Sequence, residues 1–99
     1  MAELMSEESV RAALEELTGW SGETDQIART VTAPDFATGI RVVDDVAAAA
    51  EAADHHPDID VRWRKVTFTL STHSQGGVTQ RDIDLAGTID SIAAKHGAT

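Results

Sequence analysis

The chain has 99 residues, a formal charge of −9 from eight Lys and Arg against seventeen Asp and Glu, and no cysteine. That length predicts one small domain spanning residues 1–99, and the missing thiols exclude disulfide staples, thiolate zinc sites and a cysteine nucleophile. The acidic balance is poorly suited to gripping phosphate backbones or anionic lipid, so neither nucleic acid nor membrane is expected as a partner.

Near the N-terminus, Ser6 is placed to cap a helix whose first turn carries Glu7 and Glu8, the sign the helix dipole favours. Val10, Leu14 and Leu17, with Ala13, recur at helical spacing, and Gly19 reads as the stop. A polar turn, Ser21 to Asp25, separates a short strand near Trp20 from a second over about Gln26 to Thr32, with Ile27, Arg29 and Val31 on one face. Thr32 is then expected to cap a long helix, with Pro34 in its first turn and Asp35 reaching back. Phe36, Ile40, Val43, Ala47 and Ala50 form its apolar stripe, and Pro57 ends it near Ala53 or Asp54.

Val61 and Trp63 share one parity, whereas Val66, Phe68 and Leu70 share the other. That phase shift requires a break near Arg64–Lys65, which favours two strands in a tight hairpin over one bulged strand. Thr67, Thr69 and Ser71 make the solvent face. Thr79 opens the last helix with Asp82 in capping-box register, and Leu85, Ile89 and Ile92, with Ala86 and Ala93, face the core. His96 suits the negative helix end and Gly97 stops it. The order α-β-β-α-β-β-α predicts an α+β fold of two layers, a four-stranded antiparallel sheet with three helices on one face. Leu, Ile, Val and Phe total only 21. A protomer of this size buries about 60–65% of its unfolded surface, so so light a core predicts a homo-oligomer. No run of about 18 apolar residues occurs and no basic-then-apolar leader opens the chain, which reads as cytoplasmic.

Three of the four histidines fall at element ends, His55 and His56 before Pro57 and His73 after Thr72. Imidazole gives and takes protons near neutrality. From residue types alone, three readings stay open: polar element ends, a His-plus-carboxylate metal site, and metal-free acid–base chemistry. Adjacent histidines rarely ligate one ion together, which counts against the metal. There is no glycine-rich phosphate loop and no Ser-His-Asp order.

Glu51-Ala-Ala-Asp54-His55-His56-Pro57, then Trp63, Leu70-Ser71-Thr72-His73 and Gln80-Arg81-Asp82, resemble the signature of the pterin-4a-carbinolamine dehydratases. Gly19-Trp20 and Asp35-Phe36 fit the same pattern, so the resemblance covers about Leu14 to Ala94. Two departures are visible: Asp58-Ile59 stands where many members carry an aromatic, and Ile27 to Val31 lacks the aromatics common in the second strand.

The resemblance implies dehydration of 4a-hydroxytetrahydropterin to quinonoid dihydropterin, recycling the pterin of an aromatic amino acid hydroxylase without metal or cofactor. It implies a homodimer or homotetramer. It assigns His55, His56 and His73 to catalysis, with His55 and His73 as acid–base groups and His56 chiefly holding the pterin, the roles of His55 and His56 being open to exchange. Pro57, Thr72 and Ser74 would bind substrate, Thr72 and Ser74 through backbone or hydroxyl hydrogen bonds. Glu51 would orient an imidazole, and Asp82 would orient His73 or simply cap its helix. Trp63 is expected in the core more than in the pocket wall, and Asp54 at a solvated helix end. The alternative is an idle family member that serves as an oligomeric binding or assembly module.

Overall fold

The structure, a computed structural model, describes residues 3–99. Its elements run α1 (Glu7–Glu16), β1 (Ser21–Gly22), β2 (Ile27–Thr32), α2 (Phe36–Ala53), β3 (Asp58–Arg62), β4 (Lys65–Leu70), a short 3-10 turn (His73–Gln75) and α3 (Gln80–Lys95). The strands form one antiparallel sheet in the order β1-β2-β4-β3. The α+β layout read from the sequence is the observed one.

Register explains why one sheet face is apolar. Ile27 pairs with Leu70, Arg29 with Phe68 and Val31 with Val66, while Ile59 and Val61 of β3 lie opposite Phe68 and Val66. Directly opposed residues share a face, so these side chains all point at the helices. The opposite face carries Thr30 and Thr67, whose hydroxyls bond at 2.7 Å, and Asp58 and Asp60 on the edge strand. Ile27, Val31, Val66, Phe68 and Leu70 meet Val42 and Val46 of α2 and Leu85, Ala86 and Ile89 of α3 in one continuous core. Arg29 reaches the same side because Asp90 of α3 takes its guanidinium at 2.6 Å and the Trp20 indole N–H at 2.8 Å.

Several local expectations shift. Thr32 does not cap α2; it stays in β2, and Asp35 is the cap, its carboxylate accepting the Thr38 N–H at 2.8 Å. The buried stripe of α2 is Gly39, Val42, Val46 and Ala50, rotated from the expected one. Ile40 and Val43 are left half-buried on its flank and Phe36 is 50% exposed. The β3–β4 turn falls one residue earlier than expected, at Trp63–Arg64, with Arg62 paired to Lys65. Trp63, at φ 55, is therefore neither core nor pocket wall. It stands 71% exposed, with the Arg64 guanidinium 4.8 Å from its ring centroid. By contrast, the Ser6 cap, the Thr79–Asp82 capping box and the end of α2 at Ala53 occur as expected. Among the described residues, no helix is long and apolar enough to cross a membrane.

Away from the histidine cluster, α2 and α3 are tied by His96, whose Nε2–H donates to Asp45 at 2.7 Å. This bond, with a smaller contribution from Lys95, holds the Asp45 carboxyl below its ordinary value of 3.8. The Thr38 hydroxyl and amide likewise hold Asp35 low. A carboxylate depressed in the folded state stabilises above its unfolded pKa, and that contribution is lost as pH falls through the folded value. Melting temperature should therefore drop on acidification below about pH 4, and the gap separating Asp45→Asn from wild type at about pH 6 should close as pH falls through the depressed folded value. Thermal melts across that range check it; a gap independent of pH would refute the linkage.

Candidate functional site

Three chain segments converge on one carboxylate. The first is the end of α2. Asp54 adopts the left-handed conformation (φ 49, ψ 44), its N–H bonding to Ala50 and Glu51 carbonyls, and the His55 N–H reaches back to the Ala50 carbonyl at 3.1 Å. Pro57 then disfavours any return to helix. The reversal sends the adjacent imidazoles into different surroundings. His55 is 8% exposed, whereas His56 is exposed and its Nε2 contacts the Glu51 carboxylate from the last turns of α2.

The second segment follows β4. Thr72 donates its N–H to the Gly77 carbonyl at 2.8 Å and accepts the Gln75 and Gly76 amides on its own carbonyl, closing a tight loop around His73. Gly76 sits at φ 80, a conformation open to glycine at little cost. A Cβ on Gly77 would lie 2.5 Å from the Thr24 carbonyl, so only glycine allows that approach. The Ser71 hydroxyl donates to the Asp25 carbonyl and the Val78 N–H to the Thr24 carbonyl, each at 2.8 Å. The β1–β2 turn thus anchors the His73 loop on both sides.

The third segment is the first turn of α3. Asp82 is fully buried. Its Oδ2 accepts the Thr79 N–H at 2.9 Å, completing the cap, and the Thr72 hydroxyl at 2.8 Å. Its Oδ1 accepts from His55 Nε2 at 2.6 Å. Because the Thr72 hydroxyl donates to Asp82, the Thr79 hydroxyl donates to Thr72 Oγ1 at 2.8 Å, and Thr79 Oγ1 in turn accepts the Arg81 N–H at 3.2 Å. A carboxylate accepts, so the pairing makes His55 Nε2–H the donor and turns Nδ1 away from Asp82. Among the described residues Nδ1 has no partner. It is the nitrogen through which His55 can exchange a proton.

The expected residues thus fall into distinct positions. His55, Thr72 and Asp82 are joined by hydrogen bonds, and His73 directly follows Thr72. Asp82 caps its helix as expected, but the imidazole it orients is that of His55, not His73, because the Thr72 bond turns its second oxygen toward the end of α2. Glu51 does reach an imidazole, that of His56. The Thr72 hydroxyl and N–H are engaged inside the protein, which gives Thr72 a holding role toward Asp82. His73 and Ser74 are exposed, and Pro57 is half-buried.

Arg81 had no role in the sequence reading. Its Nη2 donates to the carbonyls of Asp54 at 2.6 Å and Ala53 at 3.2 Å. The contact links residues 27 positions apart in the chain, so only its neighbour Asp82 in the motif pointed to it. Arg81 and His55 also border a cavity of about 180 Å³ between α2 and α3, with Ala49, Ala53, Leu85 and Thr88. A larger cavity of about 350 Å³, between α1 and Gly22–Thr24, has no histidine in its lining. No group of three or more His, Asp or Glu side chains arranged to hold a metal ion occurs among the described residues.

Comparison with known proteins bears on this geometry. The family model described as Pterin 4 alpha carbinolamine dehydratase matches residues 3–92. A protein of Nocardia farcinica is 59% identical over 91 residues, covering 92% of this chain and 96% of its own. One of Mycobacteroides abscessus is 53% identical over 87 residues, covering 88% and 93%. Both carry the name pterin-4-alpha-carbinolamine dehydratase as a provisional one. A crystal structure of a transcriptional coactivator/pterin dehydratase from Brucella melitensis superposes with a TM-score of 0.86 at 35% identity, over 90% of this chain and 97% of that one. A pterin dehydratase-like protein identified as a RuBisCO assembly factor in the alpha-carboxysome shares the fold, with a TM-score of 0.62 at 21% identity over 75% and 86%. A match over nearly the whole length, together with the histidines at the ends of α2 and β4, establishes that the chain belongs to the pterin 4 alpha carbinolamine dehydratase family.

Proposed function

We propose that the protein dehydrates 4a-hydroxytetrahydropterin to quinonoid dihydropterin, at a site formed by His55, His56 and His73. The observation that carries this reading is the buried Asp82 carboxylate, which ties the His55 imidazole and the Thr72 hydroxyl to one point. Two histidine-bearing chain ends are thereby fixed relative to each other.

The chemistry needs an acid and a base around one flat ring. Hydroxide leaves C4a poorly, so an acid donates a proton to the departing oxygen while the N5 lone pair forms the C4a=N5 bond and the C–O bond breaks. Water departs, a base takes the N5 proton, and return of that proton to the acid completes the cycle. Each such transfer is worth about 100- to 10,000-fold. His55 and His73 serve as the acid–base pair, His55 through Nδ1. His56, exposed and braced by Glu51, holds the pterin with Pro57 and Ser74 beside it. No metal or cofactor is required, and an acidic protein suits a phosphate-free heterocycle in the cytoplasm.

In this reading the protomer works as a homodimer or homotetramer. The exposed Phe36 and Trp63 and the small core support association. Light scattering coupled to size exclusion should give a mass of two or four chains; a monomer at micromolar concentration would refute the oligomer.

Activity is read from the ultraviolet decay of enzymatically generated 4a-hydroxytetrahydropterin. Wild type should accelerate it and a chelator should not slow it, while His55→Ala and His73→Ala should each lose about 100-fold or more. No acceleration by wild type overturns the function, and two fully active histidine variants overturn the site. Asp82→Asn puts an amide N–H or a weaker acceptor against His55. It should lower kcat about 10- to 100-fold while folding is retained, checked by circular dichroism beside turnover.

A further inference from the structure

Arg81 lies outside the imidazole cluster, yet its guanidinium occupies the joint on which that cluster turns. A helix C-terminus leaves carbonyls unsatisfied and carries partial negative charge. At the end of α2 the amides of Asp54 and His55 close back onto Ala50 and Glu51, which leaves the carbonyls of Ala53 and Asp54 pointing outward. Arg81 Nη2 bonds both, at 3.2 Å and 2.6 Å. The residue between them and the imidazoles is Asp54, a non-glycine in the left-handed region, a conformation that persists only where its surroundings enforce it.

Beyond those closing amide bonds, the enforcement comes from the first turn of α3. Arg81 holds the backbone immediately before His55, and the next residue, Asp82, holds the His55 ring. Fixing an imidazole at both its backbone and its Nε2 leaves little freedom in where Nδ1 points. Without the guanidinium, Asp54 could relax toward the ordinary helical region and carry His55 and His56 with it. Asp82 alone would then hold a ring whose backbone swings.

We infer that Arg81 is a positioning residue of the site: it locks the left-handed turn at Asp54 and so aims His55 and His56 at the substrate. The inference rests on the dehydratase reading for what the histidines do, but the locking itself has an independent readout. One guanidinium nitrogen, Nη2, serves both carbonyls of the turn, and a lysine side chain of different length and shape does not place its ammonium at the same point.

The test compares wild type, Arg81→Gln and Arg81→Lys in turnover, thermal melting and amide hydrogen exchange resolved by residue. Arg81→Gln should lower kcat about 10- to 100-fold and raise KM as well, since His55 moves the proton and His56 holds the pterin. Exchange at the hydrogen-bonded Asp54 and His55 amides should quicken while the core amides of β2 and β4 keep their wild-type rates. Arg81→Lys should fall between the two in both measures. Wild-type turnover with wild-type exchange in Arg81→Gln overturns the inference. So does quickening spread evenly over the chain, which marks a general structural role. Should Arg81→Gln fail to fold, Arg81→Lys decides: unchanged exchange at Asp54 and His55 refutes the locking. If wild type itself shows no dehydratase activity, the functional reading falls while the local exchange still decides the role of Arg81 at the turn.

Discussion

A carboxylate removed from water must be matched by donors, and Asp82 is matched completely. It is fully buried and accepts from an amide, a hydroxyl and an imidazole. Leaving a buried acceptor without one of its donors costs about 1–3 kcal/mol, and more where the acceptor is charged. That cost makes the three donors mutually dependent. The first turn of α3, the end of α2 and the exit of β4 must all arrive together, or the carboxylate has no stable place. The arrangement of the histidines follows from this requirement more than from any contact among the histidines themselves.

The rest of the fold serves to deliver those ends. β4 lies between β2 and β3, paired on both sides as far as Thr69 and to Ile27 of β2 at its exit, Leu70. The β1–β2 turn then braces the following loop through Thr24 and Asp25. On the other side, α2 and α3 share the core through Val42, Val46, Leu85 and Ile89. Besides that packing they are joined through Asp82 and Arg81 near the histidines, and through Asp45 and His96 elsewhere. Helices pinned at separate points resist both sliding and rotation, which is what placing a ring nitrogen demands.

What the sequence disclosed was governed by distance along the chain. The Ser6 cap, the Thr79–Asp82 box and the alternation of β4 are local patterns, and each was readable. The cap of α2 was misplaced because Thr32 and Asp35 are both good caps; pairing of β2 with β4 keeps Thr32 in the strand and leaves the role to Asp35. Trp63 followed strand parity but belongs to the turn, since the register pairs Arg62 with Lys65. The histidines themselves were legible as residues at element ends. The partner of Asp82 was not, because capping predicts one of its bonds and says nothing of an imidazole 27 positions away. Arg81 was hidden for the same reason, since its acceptors are backbone carbonyls that leave no mark in residue type.

The direction of the hydroxyl chain has a consequence for proton traffic. From Thr79 to Thr72 to Asp82 every hydroxyl hydrogen points toward the carboxylate, and His55 Nε2–H points at it from the other side. Both ends of the wire therefore deliver to the same acceptor, and no oxygen along it is poised to pass a proton onward into the protein. Behind His55 the network is a dead end. In the dehydratase reading, the proton that His55 exchanges with substrate crosses at Nδ1, the ring nitrogen that this network leaves unengaged.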